Sequence, residues 1–267
     1  MRPPDHDPGM TARRVLVALM MRTVIGVTSV RVAEILAGVA EGSPAASRLP
    51  DLLVRACARA LPVTGVGMVL MTDAGPAGIV AASDGPAATM EELQYTLGEG
   101  PCVESSRTGR PVLQPDLEVS GPPRWPGFSA GALEAGIRAI FAFPLRVGAI
   151  RLGVLDLYRD VPGVLNDDQL AEALSFADAA TSILLHLQSQ DLDRSDTSLV
   201  HVIEDRAEVH QATGMIAVQA DVTLGQALVL LRADAFAAER PIISLAHDVL
   251  TGVVGFASDE DGRIQGG

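Results

Sequence analysis

Apolar residues recur at helical spacing at both ends of the chain and in short unbroken runs in its middle, and that division predicts the architecture. Val32, Ile35, Leu36 and Val39 give a helix over Thr28 to Ala40, broken afterwards by Gly42, Ser43 and Pro44. Leu49, Leu52, Leu53, Ala56, Cys57 and Ala60 follow the i, i+3, i+4 rule of an amphipathic helix that Pro62 closes. Two short apolar strands, Gly65 to Thr72 and Gly78 to Ser83, flank the turn Asp73-Ala-Gly-Pro76 and read as a hairpin. A second pair, Ala139 to Leu145 and Arg151 to Tyr158, is apolar nearly throughout and belongs in a sheet centre.

Between the hairpins, Gly85 to Gly136 reads as turn-rich, with one short helix at Thr89 to Tyr95. A long helix follows over Asp167 to Gln188, with Leu170, Ala173, Leu174, Ala177, Thr181, Leu184 and Leu185 on one face and Asn166 as its N-cap. This order predicts an α+β domain, an antiparallel sheet with helices packed to one side. Beyond a polar break at Ser189 to Ser198, where Asp196, Thr197 and Ser198 all suit an N-cap, three more helices fit. They run from Leu199 to Val218, from a capping box at Thr223 to Gln226, and from Pro241. Their stripes can bury only against one another, so a compact three-helix unit is expected. The domain limits follow as 1–48 for an N-terminal extension with a helical segment, 49–188 for the sheet domain, 189–198 for a polar connector, 199–256 for the three-helix domain and 257–267 for a disordered tail.

Composition narrows the function. All 20 basic residues are arginine, and the absence of lysine excludes a Walker A loop, a Schiff-base lysine and a kinase strand lysine. Against 33 acidic residues the net charge is −13, which disfavours unguided attraction to phosphate or anionic membranes. Two cysteines, Cys57 and Cys102, are too few for a disulfide framework or a thiolate metal site and fit a reducing, cytoplasmic compartment. Val15 to Val27, behind Arg13 and Arg14, copies a signal peptide superficially, but Arg22 interrupts it and no small-residue cleavage site follows. The expectation is a helical extension behind a disordered Met1 to Gly9, or a start codon assigned too far upstream.

Thr96-Leu-Gly-Glu-Gly-Pro-Cys102, Thr108-Gly-Arg-Pro-Val112, Phe143-Pro-Leu145 and Gly153-Val-Leu-Asp-Leu-Tyr158 together resemble bacterial GAF domains over about Leu49 to Gln188. The resemblance implies a PAS-like antiparallel sheet with flanking helices, a small-ligand cavity and a homodimer formed through bordering helices. Gly98, Gly100 and Pro101 are expected to shape a loop over the sheet. Arg206-Ala-Glu-Val-His-Gln-Ala-Thr-Gly-Met-Ile216, with Gln226 to Arg232 and Leu245 to Val249, looks like an ANTAR domain. That family is a three-helix module binding RNA hairpins in transcription antitermination. Its pattern usually carries a lysine where this chain has Thr213.

The resemblances imply a transcriptional regulator in which a sensor domain controls RNA binding. The RNA-binding candidates are Gln211, Thr213, Arg232 and Arg240, and the ligand-pocket candidates are Cys102, Trp125 and Asp156. From Ser195 onward, four arginines stand against eleven carboxylates, a balance of 4 − 11 = −7, which favours an alternative in which the C-terminal helices bind a protein partner. A thiol redox enzyme would need Cys102 to pair with Cys57, which lies on a buried helix stripe. No catalytic triad, paired-carboxylate site or metal cluster assembles from the sequence, so no enzyme activity, cofactor or metal is expected.

Overall fold

The computed structural model describes residues 30–42, 46–72, 75–191, 198–258 and 264–266. The first nine residues, the Val15 to Val27 run and the caps at Asp196 and Thr197 lie outside them. A five-stranded antiparallel sheet forms the centre, built from β1 (Gly65–Thr72), β2 (Gly75–Ala82), β3 (Val112–Gln114), β4 (Ala139–Val147) and β5 (Ile150–Arg159). Its spatial order is β2-β1-β5-β4-β3, so the two apolar hairpins meet through β1 and β5. In that pairing Gly67 stands opposite Asp156, and across β4 Ala142 does the same.

Helices cover both faces of this sheet, whereas the sequence pattern predicts them on one. On the first face lie α1 (Val30–Gly42), α2 (Leu49–Ala60) and α7 (Asp167–Asp191). Leu53 and Cys57 of α2, Phe176 and Ile183 of α7, and Phe141, Phe143, Leu155 and Leu157 of the strands share one core with Val32, Ile35, Leu36 and Val39. Residues 30–42 are therefore part of the sheet domain's core and not a separate extension. α7 opens on a reciprocal cap: Gln169 N donates to Asn166 Oδ1 at 2.8 Å while Asn166 N donates to Gln169 Oε1 at 3.0 Å. It is long and apolar enough to cross a membrane by length and composition, but its apolar side is spent on the sheet.

The second face is covered by α3 (Gly85–Leu97), α4 (Pro101–Thr108), α5 (Leu117–Ser120) and α6 (Pro126–Glu134). The turn-rich expectation for this stretch is corrected: most of it is helical. The helices hide because α4, α5 and α6 have 8, 4 and 9 residues, too short for periodicity to register. Proline also opens α4 and α6, where a missing N–H costs nothing. Pro101, expected to fix a loop, begins α4.

The C-terminal helices α8 (Ser198–Gln219), α9 (Leu224–Ala237) and α10 (Ile242–Leu250) form the expected three-helix unit. Ala212, Ile216, Ala227, Leu231, Leu245 and Val249 make its core. α9 starts on the capping box Thr223/Gln226 read from the sequence. The tail is not wholly irregular: β6 (Phe256–Ser258) pairs with β7 (Ile264–Gly266), anchored by buried Phe256. The unit does not stand free. Tyr95 of α3 is buried in its core, and Pro76 of β2 lies beside Val209 and Ile242.

Candidate functional site

Alternation along β5 sends Leu155 and Leu157 to the first core and Val154, Asp156 and Tyr158 to the second. Asp156 is thus a carboxylate at the centre of a sheet, fully buried. Over it lies α3, which begins on Asp84, whose side chain accepts from Ala87 N at 2.8 Å. Residues one turn apart on α3, Glu91 and Gln94, point down at the sheet and are 0% and 1% exposed. Room for Glu91 comes from Gly67, where any β-carbon would overlap the Glu91 carboxyl. Gly67 and Ala142, on either side of Asp156, give the cluster a floor of minimal side chains.

Gln94 joins the elements. Its Oε1 accepts from the backbone N–H of Cys102 at 2.9 Å, satisfying an amide in the first turn of α4. Its Nε2 donates toward Tyr158 Oη at 3.0 Å and lies 3.4 Å from both Glu91 Oε2 and Asp156 Oδ2. Two amide hydrogens face three acceptors. Among the described residues, Glu91 Oε1 and Asp156 Oδ1 find no hydrogen-bond partner, although both residues are fully buried.

Burial drives the electrostatics. It raises the Glu91 carboxyl well above the usual carboxylate range, and the Asp156 charge adds to that shift. Burial also raises Asp156 to about 7, opposed by hydrogen bonding from Cys102, Glu91 and Gln94. The pair therefore holds protons that exposed carboxyls shed well below neutrality. The Cys102 thiol is pushed up by burial and then by Asp156 and Glu91, and Tyr158 by burial and the same two charges. A thiol so placed is a poor nucleophile. Cys57 is also raised by burial, and it belongs to the opposite core, so the sheet separates the two cysteines.

Of the pocket candidates, Cys102 and Asp156 meet in this cluster. Trp125 does not: it stands just before α6, with Arg124 4.2 Å over its ring, and anchors that loop in the second core. Sequence reasoning missed Glu91, Gln94 and Tyr158, and the structure brings two buried carboxyls, Glu91 and Asp156, together where the sequence assembled no such pair. The available signal was a charge inside an apolar strand at Asp156 and two polar residues at i, i+3 among Ala87 and Met90.

The RNA candidates are not brought together. Gln211 is exposed, while Thr213 is buried and donates its hydroxyl to the Val209 carbonyl at 2.7 Å. The Arg232 guanidinium lies on Gly98 at the end of α3, where φ is +64° and an added β-carbon would overlap it. Burial lowers the Arg232 pKa. Arg240 pairs with Asp248 at 2.6 Å. Beside this contact an open cleft of about 610 Å³ runs between α3 (Glu92, Leu93, Thr96) and the helical unit (Phe236, Glu239, Arg240).

No curated protein matches the chain. Among solved structures it is similar to the GAF domain of a phosphoenolpyruvate-protein phosphotransferase from Coxiella burnetii, at 14% identity over 66% of this chain and 98% of that one, with a TM-score of 0.46. It is also similar to a type II free methionine-R-sulfoxide reductase from Thermoplasma acidophilum, at 16% identity over 53% and 92%, with a TM-score of 0.40. Likenesses of this size carry no reading of activity. Residues 46–185 match the GAF domain family, and with the five-stranded antiparallel sheet and its flanking helices this chain belongs to that family.

Proposed function

We propose that this GAF chain is a cytoplasmic, non-enzymatic regulator in which signal sensing at the Glu91 cluster controls an ANTAR-like RNA-binding module acting in antitermination. The observation that carries this reading is that one helix, α3, serves both parts. Its Glu91 and Gln94 reach the buried cluster, while Tyr95 inserts into the three-helix core and Gly98 receives Arg232. A change at the cluster that moves α3 changes the docking surface with it. The docked form is the RNA-free state, because Arg232 is held against Gly98 of α3. Release would free Arg232, and a homodimer would present two copies of it, each with Arg240 of the same unit, to an RNA hairpin.

Titration of a two-hairpin leader RNA at low salt tests this. Tyr95→Ala, which loosens docking without touching the cluster, should bind about tenfold more tightly than the unmodified chain, a coupling of ordinary size. Arg232→Gln with Arg240→Gln should remove that gain and flatten its salt dependence. Absence of RNA binding by either chain would defeat the reading. A second reading, protein binding by the helical unit, is favoured by exposed Val218, Leu224, Val229 and Phe236. Capture of a protein by Tyr95→Ala that survives nuclease would support it instead.

A further inference from the structure

We propose that Glu91, Cys102 and Asp156 form a binding site for a single zinc ion. One oxygen from each carboxyl and the Cys102 Sγ lie within 4.8 Å of one another, and all three residues are buried. Tetrahedral zinc with bonds of about 2.0–2.3 Å needs donors about 3.3–3.8 Å apart, so small side-chain rotations close the set.

A divalent cation would take the place of the protons that burial keeps on Glu91, Asp156 and Cys102, releasing them to solvent as it binds. Gln94 and Tyr158 supply the neighbouring donors, yet among the described residues Glu91 Oε1 and Asp156 Oδ1 are left without a partner. Buried oxygens in that state are costly, and the protein keeps two of them in one cluster, with room for Glu91 cleared by Gly67. A divalent cation would engage both. A thiolate with two carboxylates suits zinc, which takes sulfur and oxygen ligands, better than magnesium or calcium, which take oxygen alone. Tyr158 and Gln94 would then orient the ligating carboxylates from outside the metal shell.

The three donors come from α3, α4 and β5, so the ion would fix α3 relative to the sheet. Three protein ligands leave a fourth position for water or a small exogenous ligand. The binding site stands whether or not the helical unit binds RNA, and only its role as the signal input rests on the reading above.

The full chain, stripped with chelator and titrated with zinc, should take up one ion per chain. Cobalt(II) in its place should give the near-ultraviolet absorption of a thiolate-to-metal charge transfer. Cys102→Ser should abolish that band, and the near-isosteric Glu91→Gln and Asp156→Asn should each weaken binding more than about tenfold. Cys57→Ser, in the other core, should change neither. If the stripped chain unfolds, recovery of its circular dichroism at one equivalent of zinc supports the site equally. A folded chain that takes up no zinc overturns the proposal. So does an ion whose affinity and cobalt spectrum are unchanged in Cys102→Ser and Glu91→Gln. Neither result touches the RNA titration.

Discussion

The two faces of the sheet are made by alternate residues of the same strands, yet they have been put to different uses. Toward α1, α2 and α7 the strands present Val66, Met68, Phe141, Phe143, Leu155 and Leu157, all of them apolar. Toward α3 and α4 the same strands present Gly67, Ala142, Asp156 and Tyr158, with Glu91, Gln94 and Cys102 packed over them. The first face contributes stability by removing apolar area from water. The second gives some of that up for a polar cluster whose hydrogen bonds do not close. Substitutions on the two faces should therefore differ in kind as well as in size.

The largest loss is expected on the apolar face. Phe143 is 0% exposed, and Phe143→Ala should cost about 3–5 kcal/mol in denaturant unfolding through lost transfer energy and the cavity left behind. Its effect should be the same at every pH between 4 and 8. Next comes Gly67→Ala, which drives a β-carbon into the Glu91 carboxyl and should cost about 1–3 kcal/mol. The cluster origin of that cost is checked by Gly67→Ala with Glu91→Ala, which should recover most of it. A double variant no more stable than Gly67→Ala alone would place the strain elsewhere.

The third expectation separates the faces by proton. Asp156 is held at about 7 in the folded chain by burial, against an ordinary value of 3.8. Its protonated form is favoured by folding, so this contribution is complete below about 4 and is lost as pH rises toward 7. Glu91, raised by the same cause, acts in the same direction. In the metal-free chain, stability relative to Asp156→Asn should fall across that window, measured as the unfolding midpoint against pH. Equal slopes in the two chains would remove the protonated Asp156 from the folded state.

The same contrast explains what could be read beforehand. Strands β1, β4 and β5 and helices α2 and α7 were legible because each repeats one pattern over several turns or pleats. The caps at Asn166 and Thr223 were legible too, since capping chemistry is local. The second layer was not. Its helices after α3 are shorter than a reliable period, and Glu91 and Gln94 look like the solvent side of a helix until a sheet is known to lie beneath. Cys102 and Asp156 stand in motifs that resemble those of a GAF domain, but their partners depend on the register that sets Gly67 against Asp156. That register is a pairing between distant segments, and spacing along the chain does not contain it. The RNA candidates failed to gather for a related reason: docking against α3 buries Arg232, and no sequence periodicity reports docking.

The smallest expected effect tests whether the difference between the faces is confined to their interiors. Each face has an ion pair at its rim. Arg31 bonds Glu172 on the α1 and α7 side, with side-chain exposures of 48% and 20%, and Arg124 bonds Glu104 on the α4 and α6 side, with 40% and 27%. Water screens both, so Arg31→Gln and Arg124→Gln should each cost under about 1 kcal/mol, and less at high salt. Arg31 also meets Glu34 and bridges α1 to α7, so its loss should be the slightly larger of the two. Near-equality would locate the whole asymmetry at Gly67, Glu91, Cys102 and Asp156. A cost for Arg124→Gln well above that for Arg31→Gln would extend it outward through Glu104 of α4, two residues from Cys102, and tie the rim of the second face to the cluster beneath it.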